Sequence, residues 1–244
     1  MYPLALLPVV GDDLEKMDSR TALRYQNTFM KNALIRGLNN VYEYAGSIVD
    51  GNHKSFKEFM GYNQVVREMM QLHIDGDNLF FTTPGPNKIT IDRILGGAWT
   101  SNPHRIKLKD QLNSWDKRVE SWSKKPDTYR GSELRSLLDG MQDLVVKGLI
   151  ELIHSVKPEL LAKNFSAEEM QAMIDDNIVW LATKGNVLLL LPFCTSHHDR
   201  STSKFWPSIA PEGLKAIPDM TKENSSVWSL APFHPVKFTK NPKV

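Results

Sequence analysis

The stretch from Phe59 to Phe81, FMGYNQVVREMMQLHIDGDNLFF, constrains the fold of this chain more than any other. At helical spacing it places a histidine and a carboxylate on a mainly apolar stripe, and such a stripe normally faces a core. The stripe consists of Phe59, Asn63, Val66, Met70, His73, Asp77 and Phe80. Because His73 and Asp77 are one turn apart, they can direct an imidazole and a carboxylate at one point inside a helix bundle. A helix end with two solvated polar groups would show the same pattern, so both interpretations are open.

The composition predicts a single globular domain over residues 1–244. Of the 244 residues, 41% are hydrophobic and 24% are charged, which is ordinary for a globular protein. The net charge is +2 and no basic run is interleaved with aromatic residues, so nucleic-acid binding has no support. The one cysteine, Cys194, excludes an internal disulfide and a thiolate cluster, and it favours a reducing compartment. We therefore expect a cytoplasmic location.

Two apolar runs need to be considered as targeting or membrane segments. The run Tyr2–Val10 is broken by Pro3 and Pro8 and follows no positively charged region, so it is predicted to be an extended arm, not a signal peptide. The run Val187–Leu191 is far too short to cross a bilayer. We therefore expect no membrane span.

Helical periodicity and capping signals predict an all-α protein built on an antiparallel four-helix bundle. The four long helices are predicted to run from Asp18 or Ser19 to about Ala45, over about 54–77, from Pro103 to about Lys124 with Ser101 or Asn102 as N-cap, and from about Gly131 to Val156. The bundle thus covers about 18–156, and extra short helices are expected at about 89–95 and 167–181, the second opened by a capping-box pattern at Ser166–Glu169. Residues 187–244, rich in proline and aromatic residues without a periodic core, are predicted to be an extended tail that wraps the bundle.

Polar groups also interrupt the apolar stripes of the third and fourth helices. His104 heads the stripe that continues through Leu108 to Trp115, while Lys147 and Glu151 are four residues apart and can contact each other. An exposed ion pair would have the same spacing. If these groups point inward, they form one central site with candidate catalytic residues His73, Asp77, His104, Lys147 and Glu151. Its candidate substrate-binding residues are Asn32, Phe29, Met70, Phe80, Leu108 and Trp115.

Several motifs together resemble the hemerythrin-like (HHE cation-binding) family, most closely its long fungal type. Lys31–Asn39, KNALIRGLN, resembles the first-helix signature of that family, and His73–Phe81, HIDGDNLFF, is similar to its second-helix motif. Weaker similarities to the third helix, the fourth helix and the tail lie at Pro103–Leu108, Lys147–Glu151, His197–Asp199 and Phe205–Pro207. The resemblance covers most of the chain and implies a four-helix bundle with a central site.

The chain departs from that family at the metal-binding positions. A typical member holds two iron ions between several histidines and carboxylates, whereas Asn32, Ile74, Leu108 and Lys147 stand here at positions that resemble its histidines. Asn78 replaces a glutamate of the second helix. Isoleucine and leucine cannot bind a metal, and an ammonium repels a cation. We therefore expect no di-iron centre, no metal and no cofactor.

Three functions are compatible with this altered site. The first is a metal-independent enzyme of natural-product biosynthesis, in which acid–base catalysis isomerises, cyclises, dehydrates or decarboxylates a hydrophobic small molecule. The second is a mononuclear zinc or iron protein with His73, Asp77, His104 and Glu151 as ligands. The third is a non-catalytic protein that binds a small molecule or serves a structural role. If Lys147 and Glu151 point to solvent, the enzyme hypothesis loses its main support. The oligomeric state is left open.

Overall fold

The computed structural model describes residues 2–243, which fold into α-helices joined by short turns and loops. No β-strand forms within this range, so the predicted all-α class is confirmed. In chain order the α-helices are α1 (Ser19–Ser47), α2 (Phe56–Thr82), α3 (Ile91–Ile94), α4 (Pro103–Lys124), α5 (Gly131–Val145), α6 (Pro158–Ala162), α7 (Ala167–Lys184), α8 (Val187–His197), α9 (Pro211–Met220) and α10 (Ser225–Trp228).

The predicted capping residues start three of these helices. The Asp18 side chain accepts a hydrogen bond from the Arg20 backbone N–H at the start of α1. Asn102 does the same for the first turn of α4, where Pro103 occupies the first helical position. Ser166 opens α7 with a reciprocal capping box that involves Glu169. Local sequence therefore fixes where these helices begin.

Four of the helices pack around the largest apolar core. α1 contacts α2 and α5, and α4 also contacts both α2 and α5. The core between them contains the fully buried side chains of Phe59, Leu38, Leu112 and Trp115. α7 lies against α1 and α2, and Gly76 permits its close approach, since a Cβ at Gly76 would lie 2.7 Å from Leu181 Cδ2.

The fourth long helix is shorter than predicted. α5 ends at Val145 and is followed by a π-helical turn, Val146–Ile150, and a 3₁₀ turn, Glu151–Ser155. At Gly148 the backbone of α4 comes so close that a Cβ would lie 2.8 Å from the Arg105 nitrogen. The wider π turn changes the direction in which all following side chains point. The α-helical register that the sequence predicted for residues 146–156 is therefore wrong.

The prediction of an extended tail is also wrong over much of its length, because residues 187–243 contain α8, α9 and α10. α8 is capped by Asn186 and its second half, Pro192–His197, is buried against other helices. This helix is apolar around most of its circumference, so it lacks the amphipathic pattern by which surface helices are recognised. Cys194 lies in this buried half, and burial raises the pKa of its thiol to about 12.

The N-terminal arm, Tyr2–Val10, forms no regular helix, as predicted, and is held along α1 by two asparagine side chains. Asn39 accepts from the Leu4 N–H at 2.7 Å and donates to the Leu4 carbonyl at 2.9 Å. Asn32 makes the same pair of bonds with Leu7, at 2.7 and 2.9 Å. Since the two asparagines are two helical turns apart, they hold the arm at two points.

We expect the double substitution Asn32→Leu/Asn39→Leu to release the arm. Four hydrogen bonds to partly buried backbone groups are lost, at a cost of roughly 1–3 kcal/mol for each arm residue left without partners. Limited proteolysis should then cut within residues 2–10 much faster than in the wild type. Asn40→Leu is the control, because Asn40 donates to the Leu230 carbonyl in the tail and holds no part of the arm. An unchanged cleavage rate in the double variant would contradict this role.

No single helix within residues 2–243 is long and apolar enough to cross a membrane. α7 and α8 together meet the length and composition criteria, but they are bent by 117° relative to each other.

Candidate functional site

The most concentrated chemistry in the structure is a group of four polar side chains on α1 and α2, three of them buried and Asn27 half-buried, here called the Lys31 cluster. It consists of Asn27, Lys31, His73 and Asp77. Lys31 Nζ lies 3.3 Å from His73 Nε2, 3.3 Å from Asp77 Oδ2 and 3.2 Å from Asn27 Oδ1. His73 Nε2 and Asp77 Oδ2 are 3.4 Å apart. The ammonium therefore lies at the centre of the cluster, in contact with three potential acceptors.

Helical spacing on two neighbouring helices assembles this cluster. Asn27 and Lys31 are four residues apart on α1, and His73 and Asp77 are four apart on α2, so each pair lies on one face. α1 and α2 pack against each other, which brings the two faces together. An ammonium has three N–H donors and no acceptor. The three short contacts of Lys31 thus use its whole donor capacity, and His73 Nε2 acts as an acceptor.

Burial determines the protonation state of His73. The exposed fractions of Lys31, His73 and Asp77 are 2%, 7% and 5%, respectively. Desolvation lowers the pKa of His73 from 6.5 to about 4; the carboxylate of Asp77 opposes this shift and the ammonium of Lys31 reinforces it. At neutral pH His73 is therefore a neutral imidazole beside a paired ammonium and carboxylate.

Only two of the five candidate catalytic residues belong to this cluster. His73 and Asp77 are together, as the stripe on the second helix predicted. Lys147 and Glu151 are exposed, and Lys147 pairs with Asp143 at 3.7 Å. His104 is half-buried in the first turn of α4, and its backbone N–H donates to Asn102. The predicted convergence is therefore wrong for His104, Lys147 and Glu151. Lys147 lies within the π turn and Glu151 directly after it, on a side of the chain where Gly140 and Asp143 of α5 are also exposed.

The candidate substrate-binding residues have several different surroundings. Asn32 holds the N-terminal arm: both of its side-chain hydrogen bonds are with the Leu7 backbone, and neither is with the Lys31 cluster. Phe29 packs against His198 and Trp206 of the tail. Met70, Leu108 and Trp115 are fully buried, and Trp115 Nε1 donates to Asn63 Oδ1 at 3.2 Å. Phe80 lines a groove between the C-terminal end of α2 and α7.

Lys31 is the functional candidate that the sequence prediction missed, although a signal for it exists. Lys31 precedes Leu34 by three residues and Leu38 by seven, so it shares their buried face of α1. A lysine at such a position needs a buried partner. The apolar stripe of α2 already contains His73 and Asp77. Together, the lysine on the buried face of α1 and the two polar residues on this stripe predict the cluster.

A second buried histidine, His197, lies at the end of α8. Its Nδ1 donates to the Phe193 carbonyl at 3.0 Å, and its Nε2 accepts from the Tyr62 hydroxyl at 2.7 Å. The imidazole stacks on Phe193 with ring centroids 4.0 Å apart. Desolvation lowers the pKa of His197 from 6.5 to about 3, although the bond to Phe193 opposes the shift. These contacts attach α8 to α2 and leave His197 without access to solvent.

An open groove lies between the C-terminal end of α2, the loop that follows it and α7; we call it the α2–α7 groove. Its volume is about 370 Å³. It is lined by Leu79, Phe80, Thr83, Pro84, Gly85, Pro86, Glu169, Ala172, Met173, Asp176 and Asn177. Gly85 lets the loop approach α7, since a Cβ there would lie 2.6 Å from Phe165 Cε1 and 3.3 Å from Met173 Sδ. The lining is largely apolar, with a few polar groups along α7.

A second hollow, of about 410 Å³, lies beside α4 and α5. It is lined by Arg118, Trp122, Glu133, Ser136 and Leu137. The side chains of Arg118 and Glu133 are 4.0 Å apart, so their opposite charges already face each other. This hollow therefore offers less apolar surface and less uncompensated charge than the α2–α7 groove.

The described part of the chain contains no group of three or more histidine, cysteine, aspartate or glutamate side chains that is placed to hold a metal ion. His104 and Glu151 do not join His73 and Asp77, so the four ligands of the mononuclear hypothesis are not assembled. The ammonium of Lys31 instead lies beside His73 Nε2 and Asp77 Oδ2.

Comparison of the chain with protein-family profiles, with curated proteins and with solved structures gave no match.

Proposed function

We propose that this protein binds a hydrophobic small molecule in the α2–α7 groove. The observation that carries the proposal is the groove itself: an open, largely apolar concavity of about 370 Å³ with a small number of polar groups. Ligand sites usually combine an apolar lining with a few polar groups that orient the ligand. Phe80, one of the candidate substrate-binding residues, lies in its wall.

Binding without catalysis is favoured over the enzyme hypothesis by the direction of two side chains. Lys147 and Glu151 supplied the main support for acid–base catalysis, and both are exposed. The Lys31 cluster is closed, and every N–H of its ammonium has an acceptor within 3.3 Å. A buried polar network that satisfies its own members stabilises one packing arrangement of two helices. We assign this structural role to the cluster.

We further propose that α1, α2, α4 and α5 form an antiparallel four-helix bundle related to the hemerythrin-like family. The support is that each of these helices packs against two of the others in a closed cycle, and that the first- and second-helix motifs resemble that family.

In this interpretation the ammonium of Lys31 replaces a bound cation. A second positive charge there would be repelled, so the protein is expected to function without a metal, and its single buried cysteine is compatible with a cytoplasmic location.

Acid–base catalysis is the second candidate function, and one observation favours it. Asp77 and Phe80 are three residues apart on the same face of α2, so the Lys31 cluster begins one helical turn from the groove wall. A ligand that displaces the Phe80 ring would meet a neutral imidazole and an ammonium. If the ligand also breaks the contact between Lys31 Nζ and His73 Nε2, the imidazole is free to abstract a proton and the ammonium to stabilise an oxyanion, as an isomerase, cyclase, dehydratase or decarboxylase requires. Product analysis after incubation with a bound ligand distinguishes the two functions.

Titration with N-phenyl-1-naphthylamine, a neutral dye that fluoresces in apolar surroundings, tests the binding proposal. We expect saturable binding of one dye molecule. Ala172→Trp should weaken it about tenfold or more, because an indole at this exposed position on α7 fills the groove. Ala182→Trp is the matched control, since Ala182 is exposed on the same helix but lies outside the groove. Equal affinities in the two variants would mean that the dye binds elsewhere, and the proposal would fail.

A further inference from the structure

The charges of the α2–α7 groove all have one sign. Glu169 and Asp176 are its only ionisable lining residues, and no lysine or arginine lines it. Within residues 2–243, neither carboxylate forms an ion pair with a basic side chain. The two residues are two helical turns apart on α7, about 10 Å along its axis, on either side of Met173. The groove therefore has an apolar middle between two negative charges that no basic side chain pairs with.

The lining also contains two uncharged polar side chains, Thr83 and Asn177, and the second of them carries an unused acceptor. Its Oδ1 atom is buried and has no hydrogen-bond partner. A buried acceptor without a partner is unfavourable, and rotation of the Asn177 side chain toward the groove would let a ligand N–H remove that cost. The two carboxylates accept hydrogen bonds as well. The polar groups of the groove thus combine negative charge with acceptor capacity.

From this complementarity we infer that the ligand is a hydrophobic amine that binds in its protonated form. Its apolar part packs against Leu79, Phe80 and Met173, and its ammonium group donates hydrogen bonds to the acceptors along α7. This inference rests on the proposed function, because it names the class of ligand for the same groove. A fatty acid or another anionic amphiphile would be repelled by Glu169 and Asp176, and a neutral molecule would leave both charges uncompensated.

The two carboxylates can be neutralised without disturbing the helix that carries them. Glu169 Oε2 accepts from the Ser166 N–H at 2.8 Å as part of the capping box of α7. Glutamine makes the same capping bond, so Glu169→Gln removes the charge and keeps the cap. Asp176 is exposed, and Asp176→Asn preserves its shape. The matched control is Glu168→Gln/Asp175→Asn, which makes the same change in charge on exposed neighbours outside the groove.

Competition between the neutral dye and three ligands with the same chain tests the inference: octylamine, octanol and octanoate at pH 7 and low salt. We expect octylamine to displace the dye about fivefold more effectively than octanol, and octanoate to be the weakest, since a partly exposed ion pair contributes modestly. Glu169→Gln/Asp176→Asn should abolish this preference, which is measured within each variant as the ratio of octylamine to octanol competition and so does not depend on that variant's own affinity for the dye. The control double variant should keep the preference.

The results separate the inference from the function on which it rests. If octylamine is no better than octanol, or if its advantage persists in Glu169→Gln/Asp176→Asn, the inference is overturned while dye binding in the groove stands. If Ala172→Trp leaves dye binding unchanged, the proposed function itself fails.

Discussion

Replacing Lys31 with methionine will lower the free energy of unfolding by roughly 3–5 kcal/mol, the largest effect that we expect of any single substitution. The change leaves the buried carboxylate of Asp77 without its ammonium partner at 3.3 Å, and removes the donor to His73. A buried, unpaired charge is among the most unfavourable features that a substitution can create. Urea unfolding at pH 7, followed by circular dichroism, measures the effect.

Two further variants test this explanation. Lys147→Met removes an exposed lysine and should change the free energy of unfolding by less than about 0.5 kcal/mol. Lys31→Met/Asp77→Asn removes both charges and places an amide near His73 Nε2, so it should recover much of the lost stability. If Lys31→Met is no more harmful than Lys147→Met, the cluster does not have the structural role assigned to it. If the double variant is no better than Lys31→Met, the uncompensated charge is not the cause.

Acidification from pH 7 to pH 4 will lower the free energy of unfolding by roughly 3 kcal/mol for each of His73 and His197. Burial lowers the pKa of these residues from 6.5 to about 4 and about 3, respectively. Below pH 6.5 the unfolded chain binds protons that the folded protein does not, so stability is complete above pH 6.5 and is lost as the pH falls toward the folded pKa values. Lys31 and Asp77 face His73, while Tyr62 contacts His197.

The slope of the free energy of unfolding against pH identifies which histidines cause the acid sensitivity. This slope can be compared between variants even when a substitution also changes stability at pH 7. His73→Gln and His197→Gln should each flatten the dependence between pH 6.5 and pH 4. His154→Gln should leave it unchanged, because His154 is exposed. If both buried-site variants keep the wild-type slope, other groups cause the acid sensitivity.

Much of the fold was predictable because its signals are local. Asp18, Asn102 and Ser166 cap helices where their side chains suggested, and the apolar stripes of α1, α2 and α4 face the core. The tail was not predictable by the same means. α8 is apolar on most sides because other helices surround its second half, so the periodicity that distinguishes a helix from an extended run is missing.

The candidate site was predictable only as far as α-helical geometry continued. His73 and Asp77 lie within an uninterrupted α2, and their predicted juxtaposition is confirmed. Lys147 lies within a change of helix type and Glu151 directly follows it, at a point where Gly148 contacts the start of α4, residues more than forty positions away in sequence. Lys31 was overlooked because its partners lie on another helix. Patterns within one helix predict its own faces, but they do not show which faces of two helices meet.

Because Cys194 is buried in α8, the reactivity of its thiol reports the opening of that helix. The chain has no other cysteine, and this thiol lies in the buried half of α8 with its pKa raised to about 12. A thiol-specific reagent therefore reacts only with molecules in which α8 has separated from the helices that cover it. The labelling rate, compared with that of the unfolded chain, gives the equilibrium constant of that opening. Its dependence on denaturant reveals whether α8 detaches alone or only when the whole domain unfolds.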